Sequence, residues 1–316
     1  MIPTPSGVPQ GRGWHELPDT RILSVCDASL GPCAAITAAW SGGAADAAGE
    51  RMFVWGGGGE YRGNQVFEFD LRTRTMRTID TSTPTDLACE PSDYLARPAP
   101  RSTYDGLVYL PDQQRMFAVG GASWCGPVDS WMYDPETTTW ERVSTRSLGM
   151  YPHIATAYDR DRGVLIVSPG QLRLFDPVAR AFTDLPGPGE AFNVSATLDT
   201  TRRILGLFGD NHYWEFDLAR GTFTTPSLNG CEAALATPAP GMAFDPVLQQ
   251  FVIWSGGDDV TLLDIETHRC SVLTFPNGPG AQVMAGTYGR FDYFPSQDVF
   301  VLVNRVDQNV FALRLR

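Results

Sequence analysis

The residues in this chain most able to do chemistry are tyrosines, arginines and a few histidines. Tyr151 and His153 stand two apart in "YPH", and on an extended strand that spacing puts both side chains on one face. A Tyr or His base, with an Arg neutralising a carboxylate beside it, is what β-elimination of a uronic acid requires. Tyr151, His153 and Arg290 are therefore the candidate catalytic set, although a Tyr-x-His on a strand is more often structural. A wider candidate ligand-binding set comprises Glu60, Tyr61 and Arg62 of "WGGGGEYRGN", Arg101, Tyr104, Trp124, Asn193, His212, Tyr288 and Arg305. Arg forks hold carboxylates bidentately and Tyr rings stack on sugars. Asp105 and Asp292 stand at the same place beside first strands and join these mouth candidates, with turn or inter-blade hydrogen bonds as their plainer role.

Several chemistries are excluded. The chain has no lysine, so Schiff-base and lysine-base mechanisms are absent. A net charge of −12 disfavours a nucleic-acid partner. No apolar run approaches the ~18 residues that span a membrane. His15 and His268 fall far from His153 and His212, so no histidine metal site is expected. "GGDD" (256–259) and "FGDNH" (208–212) offer hard oxygen donors, which makes calcium the one cation for which the sequence has ligands. The Gly-rich run is no phosphate cradle, because neither a following lysine nor Gly-x-Gly-x-x-Gly spacing accompanies it.

The elements that position these residues repeat. Apolar runs such as "RMFVWGG" (51–57), "RMFAVGG" (115–121) and "FVIWSGG" (251–257) are each followed by an aromatic-rich run. The latter runs end at Asp70, Asp134, Asp176, Asp217, Asp264 and Arg314, at intervals of 64, 42, 41, 47 and 50. An inserted linker, 81–100, accounts for the long first interval. Alternating aromatic and β-branched residues punctuated by Gly, Pro and Asp predict four short strands per unit, and no helix-period stretch competes.

Six such units resemble Kelch repeats, whose marks are a Gly-Gly doublet after the second strand and an aromatic-Asp-Pro turn into the fourth. The resemblance spans nearly the whole chain and implies an all-β fold, a six-bladed β-propeller of four-stranded blades around a channel. Unit six lacks a fourth strand, and "GWHELPDT" (13–20) resembles the fourth strands of other units. An N-terminal strand, within 13–25, is thus expected to close the last blade and cover both sheet edges. The expected layout is a tail at 1–12 and one domain at 13–316, with blades near 33–81, 101–145, 151–186, 191–226, 239–275 and 283–316. Galactose oxidase carries a Kelch-type propeller, but its copper-radical chemistry needs two His ligands and a Tyr–Cys crosslink, and no Cys here sits beside a suitable Tyr. The chain is also similar to a group of secreted bacterial propellers sharing "AAWSGG", "TYDGLVY" and "GRFxYFP", found here at 38–43, 103–109 and 289–295.

On this layout the candidate site residues fall on one face, in the loops after second strands and at the approach to first strands. Cys26 and Cys33 bracket a short link and are expected to pair, as are Cys89 and Cys125 on a common face. Cys231 and Cys270 remain by elimination, with two free thiols as the alternative. Six cysteines in a loop-rich fold, behind an N-terminus that reads as a mature tail, point to a secreted or periplasmic protein. The expectation is a monomeric binding propeller that presents an Arg/Tyr-rich mouth to a carbohydrate or other polar or anionic small ligand, with no cofactor. A polysaccharide lyase on the same face is the first alternative, and a protein-interaction propeller the second.

Overall fold

A computed structural model describes residues 7–80, 96–123, 128–144, 153–189 and 192–316. Tyr151, Trp124, Cys89 and Cys125 lie outside the described residues. The strands form six antiparallel four-stranded sheets. Their first strands are Gly43–Asp46, Leu107–Leu110, Ala155–Asp159, Ser195–Asp199, Gly241–Asp245 and Phe291–Phe294. These contact one another in order around an axis, and residues 288–290 contact the first of them, so the ring is closed. The protein is a six-bladed β-propeller.

The recurrent aromatic-Asp has a local cause. Asp70, Asp134, Asp176, Asp217 and Asp264 each end a third strand, and each carboxylate accepts the backbone N–H groups two and three residues on. That pair of bonds nucleates the tight turn into the fourth strand. Asp159, Asp199 and Asp245 do the same at the turns after first strands. Blade six has no turn at this place, and there the residue is Arg314. Its side chain is buried and donates to the carbonyls of Pro9 and Gln297.

The missing fourth strand comes from the N-terminus. Gly13–Leu17 pairs antiparallel with Val310–Arg314, from Gly13 opposite Arg314 to Leu17 opposite Val310. Thr20, fully buried, finishes the closure: its N–H donates to Asn309 Oδ1 at 3.1 Å, and its hydroxyl accepts from the N–H of Val310 at 2.8 Å. Apolar residues of adjacent blades interleave, as where Trp14, Trp254, Phe291 and Phe311 share one cluster between blades five and six.

Two disulfides are present among the described residues. Cys26–Cys33 spans a short hairpin as expected. Cys231 and Cys270 are bonded with Cα atoms 5.1 Å apart, which overturns the free-thiol alternative. The reason is a pairing that strand lengths do not disclose. The segment after blade four runs beside the outer strand of blade five, where the N–H of Asn229 donates to His268 O and that of Cys270 to Asn229 O.

Candidate functional site

On the face where the chain enters each first strand, one residue per blade adopts a left-handed backbone. These are Trp40, Tyr104, His153, Asn193, Ala239 and Tyr288, with φ of 51°, 50°, 80°, 48°, 42° and 52°. A positive φ is costly for non-glycine residues, above all bulky ones, and strain of this kind concentrates at functional sites. Here it recurs in every blade at one place. Backbone bonds join neighbours in this ring, from Tyr104 N–H to Trp40 O and from Ala239 N–H to Asn193 O, both at 2.6 Å.

The ring folds aromatic side chains over the channel. Tyr104 of blade two meets Tyr288 of blade six edge-on, centroids 6.0 Å apart, although blade one lies between them. Tyr104 also stacks with Trp40 at 6.4 Å and lies 5.4 Å from the His153 ring, which meets Phe192 edge-on at 4.9 Å. Tyr104 and Tyr288 are buried, while Trp40 and Phe192 are 47% and 36% exposed. The candidate bowl on this face thus carries two exposed rings, Trp40 and Phe192. A polar chain starts from His153: a His153 ring nitrogen bonds Asn193 Oδ1 at 3.1 Å, and Asn193 Nδ2 donates to Asp210 Oδ2 at 3.2 Å. Burial lowers the His153 pKa, so the imidazole is neutral at pH 7.

Beneath the bowl the channel is closed by one carboxylate. Asp105 of blade two accepts the N–H of Ala196 in blade four at 2.8 Å and that of Gly289 in blade six. Alternate blades are thereby tied across the axis. Below it a cavity of about 480 Å³ opens toward the opposite face, lined by residues of all six first strands, with Asp105 and Asp292 deep inside. Burial raises Asp105 to a pKa of about 7 and Asp292 to about 6.

The arginines expected at the mouth sit elsewhere. Arg290 is fully buried and spends every N–H on carbonyls: Ser41, Val303, Asn304 and Gly286 at 2.6–2.9 Å and Thr37 at 3.5 Å. It joins blade six to the approach of blade one. Burial pulls its pKa down to about 9, leaving it charged at neutral pH. Arg101, 1% exposed, donates to Ala99 O, Gly120 O and Asp129 and lies over the Trp55 ring. Both arginines are fixed inside the protein, with no face turned to a ligand.

The Gly-rich run is likewise a packed turn. Gly56 has φ 148°, and a Cβ there would come within 2.3 Å of Ser41 Oγ. Gly57 N–H donates to Ser41 Oγ, and the buried Tyr61 hydroxyl to Gln65 Oε1. Glu60 and Arg62 are exposed, and Arg62 N–H bonds Leu30 O of the Cys26–Cys33 hairpin. His212 stacks on Trp214 and lines a separate pocket of about 250 Å³ with Pro226 and Leu228. Arg305 pairs with Asp307 at the rim of a groove between blades six and one. The structure thus gathers Tyr104, His153, Asn193 and Tyr288 from the expected set and adds Trp40, Phe192 and Asp210. Trp40 had a signal in the sequence, since it precedes its first strand by the same three residues as Tyr104 and Tyr288.

The acidic clusters considered for calcium are engaged in hydrogen bonds. Asp258 Oδ1 accepts Gly278 N–H, Asp259 Oδ1 accepts the Thr274 hydroxyl, and Asp210 holds Asn193. Among the described residues no group of three or more His, Cys, Asp or Glu could hold a metal ion.

No family model matches the chain, and no curated protein matches it. Solved structures do. An auxiliary nutrient binding protein from Bacteroides thetaiotaomicron superposes with a TM-score of 0.52 at 9% identity, covering 84% of this chain and 66% of that one. A fungal alcohol oxidase of the AA5 family, in complex with copper, superposes with a TM-score of 0.53 at 12% identity, covering 86% and 61%. The matched region is under two thirds of either neighbour, and at such identities the likeness is one of fold. The chain is an all-β, six-bladed propeller of four-stranded blades, consistent with the Kelch-like layout.

Proposed function

We propose that this is a secreted binding propeller whose upper bowl holds a carbohydrate. The observation that carries the reading is the run of ring contacts Trp40–Tyr104–His153–Phe192, exposed at both ends, with His153 bonded on to Asn193 and Asp210. Flat aromatic faces stack on the apolar faces of sugar rings while nearby polar groups fix orientation, the usual division of labour in a ligand site. A fold neighbour named for nutrient binding is in keeping with this. Two disulfides suit an oxidising compartment, and no helix of the described residues is long and apolar enough to cross a membrane.

The binding reading is preferred to the lyase alternative because of the two arginines. A base acting on a uronate needs a cation at the substrate carboxylate, and Arg101 and Arg290 already have their donors engaged with the protein. The test is titration of an oligosaccharide panel followed by tryptophan fluorescence. Trp40→Ala is expected to weaken binding by about tenfold or more, in line with truncating a stacking aromatic, with melting temperature unchanged. A panel without any binder, or binding indifferent to Trp40→Ala, refutes the reading.

A further inference from the structure

The cavity on the far side of the Asp105 clasp has the form of a second site. Its volume of about 480 Å³ falls within the range of small-molecule pockets. Space arises there because the first strand of blade one and the turn after it are built from small residues: Gly43, Ala44, Ala45, Ala47 and Ala48 all line the cavity. Leu107, Leu198, Met242 and Phe291 supply apolar walls, and Pro111, Thr200 and Pro295, from turns of three other blades, put its mouth on the face opposite the bowl. The six turns that follow first strands on that face, 46–51, 110–115, 159–163, 199–204, 245–250 and 294–299, are all among the described residues.

Two carboxylates stand in this largely apolar space. Asp105 is 3% exposed and accepts the N–H groups of Ala196 and Gly289. Asp292 is partly exposed; its Oδ1 accepts the Tyr293 N–H at 2.7 Å, and its Oδ2 accepts a hydrogen bond from none of the described residues. No described cation pairs with either, and the charge of Asp292 adds to the burial that raises Asp105. Arg290, two residues before Asp292, gives its N–H groups to carbonyls. The remaining titratable groups of the lining are Asp46, Tyr109 and Tyr158. Asp46 is paired with Arg51 at 2.8 Å, and burial keeps both phenols protonated far above neutral pH. A carboxylate with a free oxygen inside an apolar cavity is costly until a cation meets it.

We propose that this cavity binds a small primary amine with an apolar body. The ammonium donates to Asp292 Oδ2 within the field of Asp105, and the body rests on Leu107, Leu198, Met242 and Phe291. The site faces away from the bowl and does not depend on what the bowl holds.

The test is isothermal titration calorimetry of the intact protein at pH 8 with phenethylamine and hexylamine, against phenethyl alcohol, hexanoate and trimethyl(phenethyl)ammonium. One of the amines is expected to bind at least tenfold tighter than the alcohol, the carboxylate or the quaternary ion, which offers no N–H. Its affinity should rise at least tenfold from pH 5 to pH 8, because Asp292 and Asp105, with pKa values of about 6 and about 7, lose their protons while the amine stays charged to about pH 10. Asp292→Asn should weaken binding by about tenfold or more and leave the melting temperature at pH 8 unchanged or higher, because it removes an unpaired buried charge. Absence of amine binding, an alcohol or quaternary ion that binds as tightly, or affinity that is flat or falls toward pH 8 would each overturn the inference. So would an Asp292→Asn protein that binds like the parent, or one that melts several degrees lower at pH 8, which would show Oδ2 to be bonded within the protein.

Discussion

Replacing Arg290 by Met separates a structural clamp from a ligand contact. Met keeps the apolar stem and removes all five donors. Four of the lost bonds are short, 2.6–2.9 Å, and come from a full cation to buried carbonyls. At about 1.5 kcal/mol for each charged hydrogen bond, the gross loss is about 6 kcal/mol. Removing a guanidinium from a site with no carboxylate partner returns part of this as relieved desolvation, so a net destabilisation of about 4 kcal/mol is expected. With an unfolding entropy of about 2.1 cal/mol/K per residue, that corresponds to a drop of roughly 6 °C in melting temperature. Differential scanning calorimetry at pH 7 measures it, with tryptophan fluorescence in guanidinium as a second probe. The loss should fall on the junction of blades six and one, since Ser41 and Thr37 belong to the approach of the first blade. A variant that melts within 1 °C of the parent yet loses ligand binding would refute the reasoning and return Arg290 to the mouth.

Two further outcomes follow from buried groups. Asp105 and Asp292 have folded pKa values of about 7 and 6, above the ordinary carboxylate value of 3.8. The native state therefore binds more protons than the unfolded chain between about pH 4 and 7, and stability should fall as pH rises through that window. Carboxylates held below their ordinary values by turns and ion pairs, such as Asp217 and Glu141, act oppositely below about pH 4. Melting temperature should thus be higher at pH 5 than at pH 8, and Asp292→Asn should flatten the slope; a rise toward pH 8 would contradict the assignment. The Cys231–Cys270 bridge closes a loop of sequence separation 39, worth about 4 kcal/mol by loop entropy. The double Ser variant should lose stability of that order, and peptide mapping without reductant should recover the linked pair.

Much of the architecture was legible in the sequence because its causes are local. Each aromatic-Asp marks a turn that its own carboxylate builds, two and three residues on. Even the exception was informative: Arg314 stands where no turn exists, and the strand opposite it begins at Gly13. The candidate site was legible only in part. Tyr104, His153, Asn193 and Tyr288 were identified from their place before first strands, whereas Trp40 and Phe192, which are the exposed rings of the bowl, were missed. Nothing in a tryptophan or tyrosine announces a left-handed backbone, as a glycine or asparagine would.

The sequence by itself determined the strand periodicity, the turn chemistry, the six-unit count and the closure by an N-terminal strand, since all of these are written in spacings of a few residues or in a repeat. Tertiary structure alone decided the fate of the charges. Arg290 reads identically whether it reaches a ligand or a carbonyl, and the carbonyl that holds its Nε lies 249 residues away in the chain. Asp105 becomes a clasp only when the ring brings Ala196 and Gly289 to it. Cys231 finds Cys270 only through the backbone pairing of Asn229. A side chain's partner is set by proximity in space, and in a closed ring the nearest groups belong to other blades.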